Sequence, residues 1–413
     1  MLLPLLHRFH RPLDWRSLVA DGVAVEGDSY EDRWGISDPF VALPCLGDAP
    51  VHRARFREVS IPVGRGPRWI SVADVNHDGN PDILVAKAEG ETVTVLLGNG
   101  QGQFREAPGS PVPAGHLPND IAIADMNGDG NPDLVIANHQ SPYLRVLLGD
   151  GRGGFRPAPG SPVDVHSDPH PHGVAVADFN GDGRPDVVTD SWGKNQIELL
   201  LGDGKGGLMT PGRYFDVGHR PYELLRSADF NHDGLADVVT TNLDDGTVTI
   251  LLGDGKGGFL NAAGSPFAAG AKPWEMFVED LDGDGNPDLV VIPYQRDIGS
   301  AAESAVTVLL GDGRGSFRPM AGTPLPLGEC RGANSVSAGD LSGSGEQAIV
   351  VACAESRTLM LFERRRDGGF VTSSIAVKGG WGAVTVARLT HDRSNEIITA
   401  NAEDGTITLY FPN

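Results

Sequence analysis

The sequence predicts an all-β chain, a seven-bladed β-propeller of four-stranded blades in which a strand from the N-terminal side completes the last blade. Three observations predict it. An acidic nonapeptide recurs with a period near fifty residues; short alternating apolar runs flank each copy; and the two ends of the periodic region carry complementary parts of one blade. Full copies of the nonapeptide start at Asp74, Asp125, Asp178, Asp229 and Asp280, separated by 51, 53, 51 and 51 residues. Two decayed copies start at Asp340 and Arg388. A period of this length with four strands per unit is the signature of a propeller blade.

Each unit reads in the same order. A first strand such as Ile121–Ala124 precedes the acidic loop, and an apolar second strand such as Asp133–Ala137 follows it. A third strand such as Thr247–Leu252 runs into a Gly-Asp-Gly turn, and a more polar fourth strand closes the unit. Alternation and β-branched residues bounded by Gly and Asp are strand signals. The last unit stops at Asn413 after its third strand, whereas Phe56–Ile61 reads as a fourth strand without a blade of its own. Pairing the two closes the ring and leaves no open blade. The propeller therefore spans residues 53–413. Residues 1–52 lie outside the repeat and read as a poorly ordered or loosely packed extension, with a short helix near Trp15.

Composition narrows the function. The net charge is −22, which opposes nucleic-acid binding and docking to an anionic membrane. No apolar run is long enough to span a bilayer. The 56 Gly and 30 Pro are too many for a helical bundle. The three cysteines match no zinc spacing, and the simplest reading of Cys45, Cys330 and Cys353 is free, semi-buried thiols, with one bridge at most. A monomer is expected.

The acidic loops place oxygen ligands at alternate positions. In chain order these are Asp74, Asn76, Asp78, Asn80 and Asp82; Asp125, Asn127, Asp129, Asn131 and Asp133; Asp178, Asn180, Asp182, Arg184 and Asp186; Asp229, Asn231, Asp233, Leu235 and Asp237; and Asp280, Asp282, Asp284, Asn286 and Asp288. The seventh position, including Arg184 and Leu235, contributes its carbonyl. Hard oxygens in a flexible loop suit Ca²⁺ better than Mg²⁺. An EF-hand would need a bidentate Glu at its twelfth position and flanking helices; here that position is Val85, Ile136, Thr189, Thr240 or Val291, and the flanks are strands. About five Ca²⁺ are expected, which would offset nearly half of the net charge. The loops at Asp340 and Arg388 are expected to be empty, the Arg388 guanidinium taking the metal's place beside Asp392 or Glu396.

These loops and their period resemble the FG-GAP/VCBS repeats of integrin α-subunits and many bacterial surface proteins, over residues 54–413. The resemblance implies a propeller whose calcium loops join the first and second strands on one face and serve a structural role. It does not name a ligand, because one fold hosts many functions.

The loops of the opposite face carry the candidate ligand residues. They are Arg68, Trp69, Asn119, Asp120, His172, Tyr222, Glu223, Trp274, Glu275, Trp192 and Trp381. Four of the six tryptophans fall here, as do His116, His139, His166, His170, His172 and His219. Aromatic rings beside polar groups suit sugar rings or peptide segments. The preferred reading is a non-catalytic, calcium-binding module that recognises a glycan or a protein. The alternative is a polysaccharide hydrolase or lyase using Glu223 and Glu275, with His172, as acid and base. The run His166, His170, His172 has no diagnostic metal spacing, and solvent-facing imidazoles are expected. Calcium loops of moderate affinity fill outside the cytosol, so a secreted, periplasmic or cell-surface location is expected, although no signal peptide is recognisable.

Overall fold

The computed structural model describes residues 55–167, 170–222, 224–295, 304–365, 368–380 and 382–413. The N-terminal extension, with the helix expected near Trp15, lies outside the described residues, as do Glu223 and Trp381.

Seven antiparallel sheets follow one another along the chain. Blade 1 comprises Pro67–Ala73, Asp82–Lys87, Thr92–Gly98 and Phe104–Glu106. The first strands of the next six blades are Pro118–Ala124, Val174–Ala177, Leu225–Ala228, Pro273–Glu279, Ala333–Gly339 and Val384–Ala387. Blade 7 is completed by Phe56–Pro62, which pairs with Thr406–Pro412 in a register that sets Phe56 opposite Pro412 and Ile61 opposite Ile407. Ring closure by the N-terminal strand is thus as the sequence predicts. Among the described residues, no helix is long and apolar enough to cross a membrane.

The second and third strands are buried on both faces, so they read as continuous apolar runs. Asp82–Lys87 and Asp133–Asn138 are buried throughout. Seven apolar clusters fill the seven gaps between neighbouring blades. At the closure, Ile70, Ile83 and Val85 of blade 1 pack with Ile398, Ile407 and Leu409 of blade 7. The fourth strand is interrupted in blade 1. Phe104–Glu106 and Val112–Pro113 both pair with the third strand, and the Ser110 hydroxyl accepts the Val95 N–H between them. Ser161 and Ser265 do the same in blades 2 and 4.

The first strands ring a central cavity of about 380 Å³. They are the edge strands of their sheets, so their outward N–H groups need partners from the next blade. In blades 1, 2, 5 and 6 a bulge interrupts the first strand. The bulge re-aims side chains at the mouth of the cavity. Asp120 then accepts the Val174 N–H of blade 3, Glu275 the Val336 N–H of blade 6, and Ser335 the Val384 N–H of blade 7.

One cysteine expectation is corrected. Cys330 and Cys353 form a disulfide, and both are buried. Cys353 ends the second strand of blade 6 and Cys330 lies on the approach to its first strand, so antiparallel pairing brings them together. Sequence separation alone does not reveal this register.

Candidate functional site

The acidic loops join first and second strands on one face. In the blade 2 loop, Asp125 accepts the N–H groups of Gly128 and Asp129 on Oδ1 and of Gly130 on Oδ2. Asn127 Oδ1 accepts the Asp129 N–H, and Asp129 Oδ1 that of Asn131. These bonds wind the loop so that its side-chain oxygens gather on one side. The ninth residue is different: Asp133 is fully buried, and its two oxygens accept the N–H groups of Met126 and Gly149. Asp82, Asp186, Asp237 and Asp288 repeat that pattern. Each ninth-position Asp therefore ties its loop to the third strand of its own blade.

The electrostatics follow from this packing. Burial pushes Asp82, Asp133, Asp237 and Asp288 up to about 6, with neighbouring loop carboxylates adding to the rise. The Asn131 N–H holds Asp129 below the usual carboxylate range, and the Asn286 N–H does so for Asp284. Carboxylate oxygens of Asp280, Asp282 and Asp288 lie within 4.8 Å of one another. Calcium–oxygen bonds of about 2.3–2.6 Å allow ligand oxygens up to roughly 5 Å apart, so this oxygen-only donor set fits Ca²⁺.

The decayed loops are closed by other means. Ser342 Oγ bonds Asp340 and Ser344. Arg388 folds over its loop, but its guanidinium donates to the Arg393 carbonyl, whereas Glu396 accepts from Leu389 N–H and the Thr390 hydroxyl. The Gly-Asp-Gly turns do not reach the loops through their carboxylates, as Asp150 and Asp203 cap their own turns. Backbone makes the link instead: Gly206 N–H donates to Met126 O of the preceding blade, and Gly257 N–H to Phe179 O.

On the opposite face the candidate ligand residues divide into two groups. The first lines the cavity mouth. Asp120 and Glu275 are 2 % and 3 % exposed. Arg226 of blade 4 crosses to Asp120 of blade 2 at 3.0 Å and lies 5.5 Å from the Trp69 ring of blade 1. Arg68, Trp69, Asn119 and Glu275 share a small recess, where Asn119 donates to the His172 carbonyl. The second group is aromatic. Trp274 is 5 % exposed and stacks on Tyr294 at 4.3 Å. Tyr222 bridges Trp274 at 5.1 Å, Trp192 at 5.4 Å and His172 at 4.1 Å. These rings pack on one another; Trp192 and Tyr222 are half-buried. Glu223 and Trp381 are outside the described residues.

The histidines do not sit as expected. His166 is exposed, near Asp164. His170 and His172 are 6 % and 0 % exposed, and His139 from the neighbouring blade joins them. The solvent-facing reading is overturned for this pair because the rings of His139, Trp192 and Tyr222 pack against them.

The FG-GAP-like repeat model matches residues 74–136, 125–189 and 229–291. The chain carries FG-GAP-like repeats. This FG-GAP protein is 23% identical to the rat (Rattus norvegicus) T-cell immunomodulatory protein over 302 residues, 68% of this chain and 47% of the relative. It is 27% identical to a Plasmodium yoelii yoelii homolog of that protein over 134 residues, 28% of this chain and 19% of the relative. The FG-GAP chain thus spans less than half the length of either curated relative. Among solved structures it resembles the Pseudomonas aeruginosa periplasmic gluconolactonase, with a TM-score of 0.55, 17% identity and coverage of 76% of this chain and 86% of that one. It also resembles an Agrocybe aegerita lectin for non-reducing terminal N-acetylglucosamine, with a TM-score of 0.51, 17% identity and coverage of 82% and 86%. A lactonase and a lectin on one scaffold show that this likeness carries the fold alone.

Sequence reasoning missed Arg226 and Asp190 of the FG-GAP propeller, and it placed His139 on this face without joining it to His170 and His172. Arg226 sits in a first strand whose other residues are apolar or small, and that lone cation is the signal that was available. His139 and Asp190 lie in segments remote from His170, and no spacing rule joins them.

Proposed function

We propose that this FG-GAP propeller is a non-catalytic interaction module, with Ca²⁺ in its five intact acidic loops and a macromolecular partner on the opposite face. One observation carries the non-catalytic reading. Asp120 and Glu275, the carboxylates of the cavity mouth, are buried and accept N–H groups from the next blade. A general acid or base must instead face a reacting atom within hydrogen-bond reach.

The packing of Trp274 and Tyr294 against each other withdraws them from stacking on a sugar ring, which favours a protein partner over a glycan. The kinship with a T-cell immunomodulatory protein supports the same reading. When bound, Ca²⁺ would neutralise clustered carboxylates and rigidify the loops through Asp125, Asn127, Asp129, the Asn131 carbonyl and Asp133, and their counterparts. A buried disulfide and calcium loops both suit an oxidising, calcium-rich exterior, so we place the protein outside the cytosol.

Two measurements test this. Equilibrium dialysis against Ca²⁺ is expected to give about five equivalents per chain, with a lower melting temperature in chelator; no uptake would sink the calcium reading. Calcium-loaded protein is then passed over immobilised extracellular proteins and polysaccharides, and the flow-through is assayed for released sugar. Retention on protein without release supports the proposal, retention on polysaccharide alone moves the partner to a glycan, and sugar release makes the chain an enzyme.

A further inference from the structure

The histidine cluster between blades 2 and 3 is built like a metal centre. His139 follows the second strand of blade 2, and His170 and His172 lie on the approach to the first strand of blade 3. Their ring centroids are 4.3, 4.8 and 4.8 Å apart. One ring nitrogen from each lies within 4.8 Å of the other two. His139 Nδ1, His170 Nε2 and His172 Nε2 are each buried without a hydrogen-bond partner.

Three orphaned polar atoms at one place are costly unless something satisfies them, because a buried unpaired group forfeits its hydration. Mutual hydrogen bonding is a poor answer, since no hydrogen bond links the three rings through these nitrogens. Burial lowers the proton affinity of all three, and the neutral imidazole is the form that ligates metal.

A fourth residue completes the pattern. Asp190, buried at the end of the second strand of blade 3, accepts a hydrogen bond from His172 Nδ1 at 3.0 Å. It also accepts the N–H groups of His172 and Gly173. A carboxylate on the far nitrogen fixes the tautomer and aims Nε2, the arrangement seen behind metal-bound histidines. Trp192 and Tyr222 wall the cluster, at 5.9 and 4.1 Å from the His172 ring.

We propose that His139, His170 and His172 bind one divalent transition-metal ion, Zn²⁺ in the first instance, with Asp190 as the positioning residue. Three imidazoles suit Zn²⁺ and leave a fourth position for water or a ligand group. Metal–nitrogen bonds of about 2.0–2.1 Å would set the three nitrogens roughly 3.3 Å apart, so the rings close slightly on the ion. The site differs from the acidic loops in face and in donor chemistry, and it does not depend on the calcium reading.

The test uses the full chain, stripped with chelator and returned to excess Ca²⁺ so that the acidic loops are not available to zinc. Zinc content by mass spectrometry after dialysis is expected to be one equivalent per chain. X-ray absorption of the zinc-loaded wild type is expected to show three imidazoles. His139→Ala and His170→Ala should each lose that equivalent while keeping their calcium, and Asp190→Asn should weaken zinc binding by about 10–100-fold. Absence of zinc from the wild type, retention in both histidine variants, or fewer than three imidazoles in the spectrum overturns the proposal. The wild-type spectrum decides the matter even if a variant fails to fold.

Discussion

His77 in the acidic loop of blade 1 reaches across the blade boundary to Asn131 in the loop of blade 2, with Nε2 and Oδ1 at 3.2 Å. His232 and Asn286 repeat the contact between blades 4 and 5 at 2.8 Å. At the ring closure, His391 Nε2 and Asn80 Oδ1 crowd the same face of Gly100. Histidine occupies the fourth loop position in blades 1, 4 and 7, and asparagine the seventh position in blades 2, 5 and 1. Each histidine therefore faces an asparagine in the following blade. Elsewhere the fourth position is glycine and the following blade has Arg184, Leu235, Glu346 or Ser394.

The fourth position also has a backbone constraint. His77 and His232 adopt φ of 59° and 57°, where Gly128 and Gly181 adopt 76° and 73°. A left-handed non-glycine residue costs about 1–2 kcal/mol, and the hydrogen bond to asparagine returns about 0.5–1.5 kcal/mol. His77→Gly is therefore expected to change stability by less than about 1 kcal/mol, whereas His77→Ala loses the bond and keeps the strain. Denaturant midpoints of the two variants check this, and a larger loss in His77→Gly than in His77→Ala would refute it.

Arg226 is expected to be a keystone of the cavity. Removing one partner of a buried ion pair costs about 3–5 kcal/mol. Arg226→Met should fall at the low end, because Asp120 keeps the N–H groups of Ile121 and Val174. Asp120→Asn combined with Arg226→Met should recover more than half of that loss, since no charge is then left buried. Equal losses in the single and double variants would show that the charge is not what matters.

Trp274→Ala is expected to destabilise the protein by about 3–5 kcal/mol, the usual cost of emptying a buried aromatic site. Trp274 packs with Leu243 and Tyr294, so this variant is a stability probe and a poor test of ligand binding. Calorimetry decides it: a melting temperature equal to wild type would mean that the ring is dispensable to packing.

Reduction of the Cys330–Cys353 bridge should lower stability by about 3 kcal/mol, from loop-closure entropy over a separation of 23 residues. Thermal melts with and without a phosphine reductant measure this. Alkylation of the unreduced, denatured protein should label Cys45 alone; labelling of all three cysteines would exclude the bridge.

The sequence by itself determined the blade count, the strand order, the ring closure and the placement of acidic loops. All of these are periodic along the chain, so local alternation and a repeated nonapeptide are enough to read them. Tertiary structure alone decided which residues meet across blades. Asp120 and Glu275 read as candidate ligand groups, but they stitch edge strands, because a bulge at the cavity mouth turns them toward the next blade's N–H groups. Trp274 reads as an exposed platform and is buried by Tyr294 from the neighbouring strand end. His139 joins His170 and His172 only because adjacent blades lie side by side. Such contacts depend on the registry between sheets some fifty residues apart, and no spacing within one repeat encodes that registry.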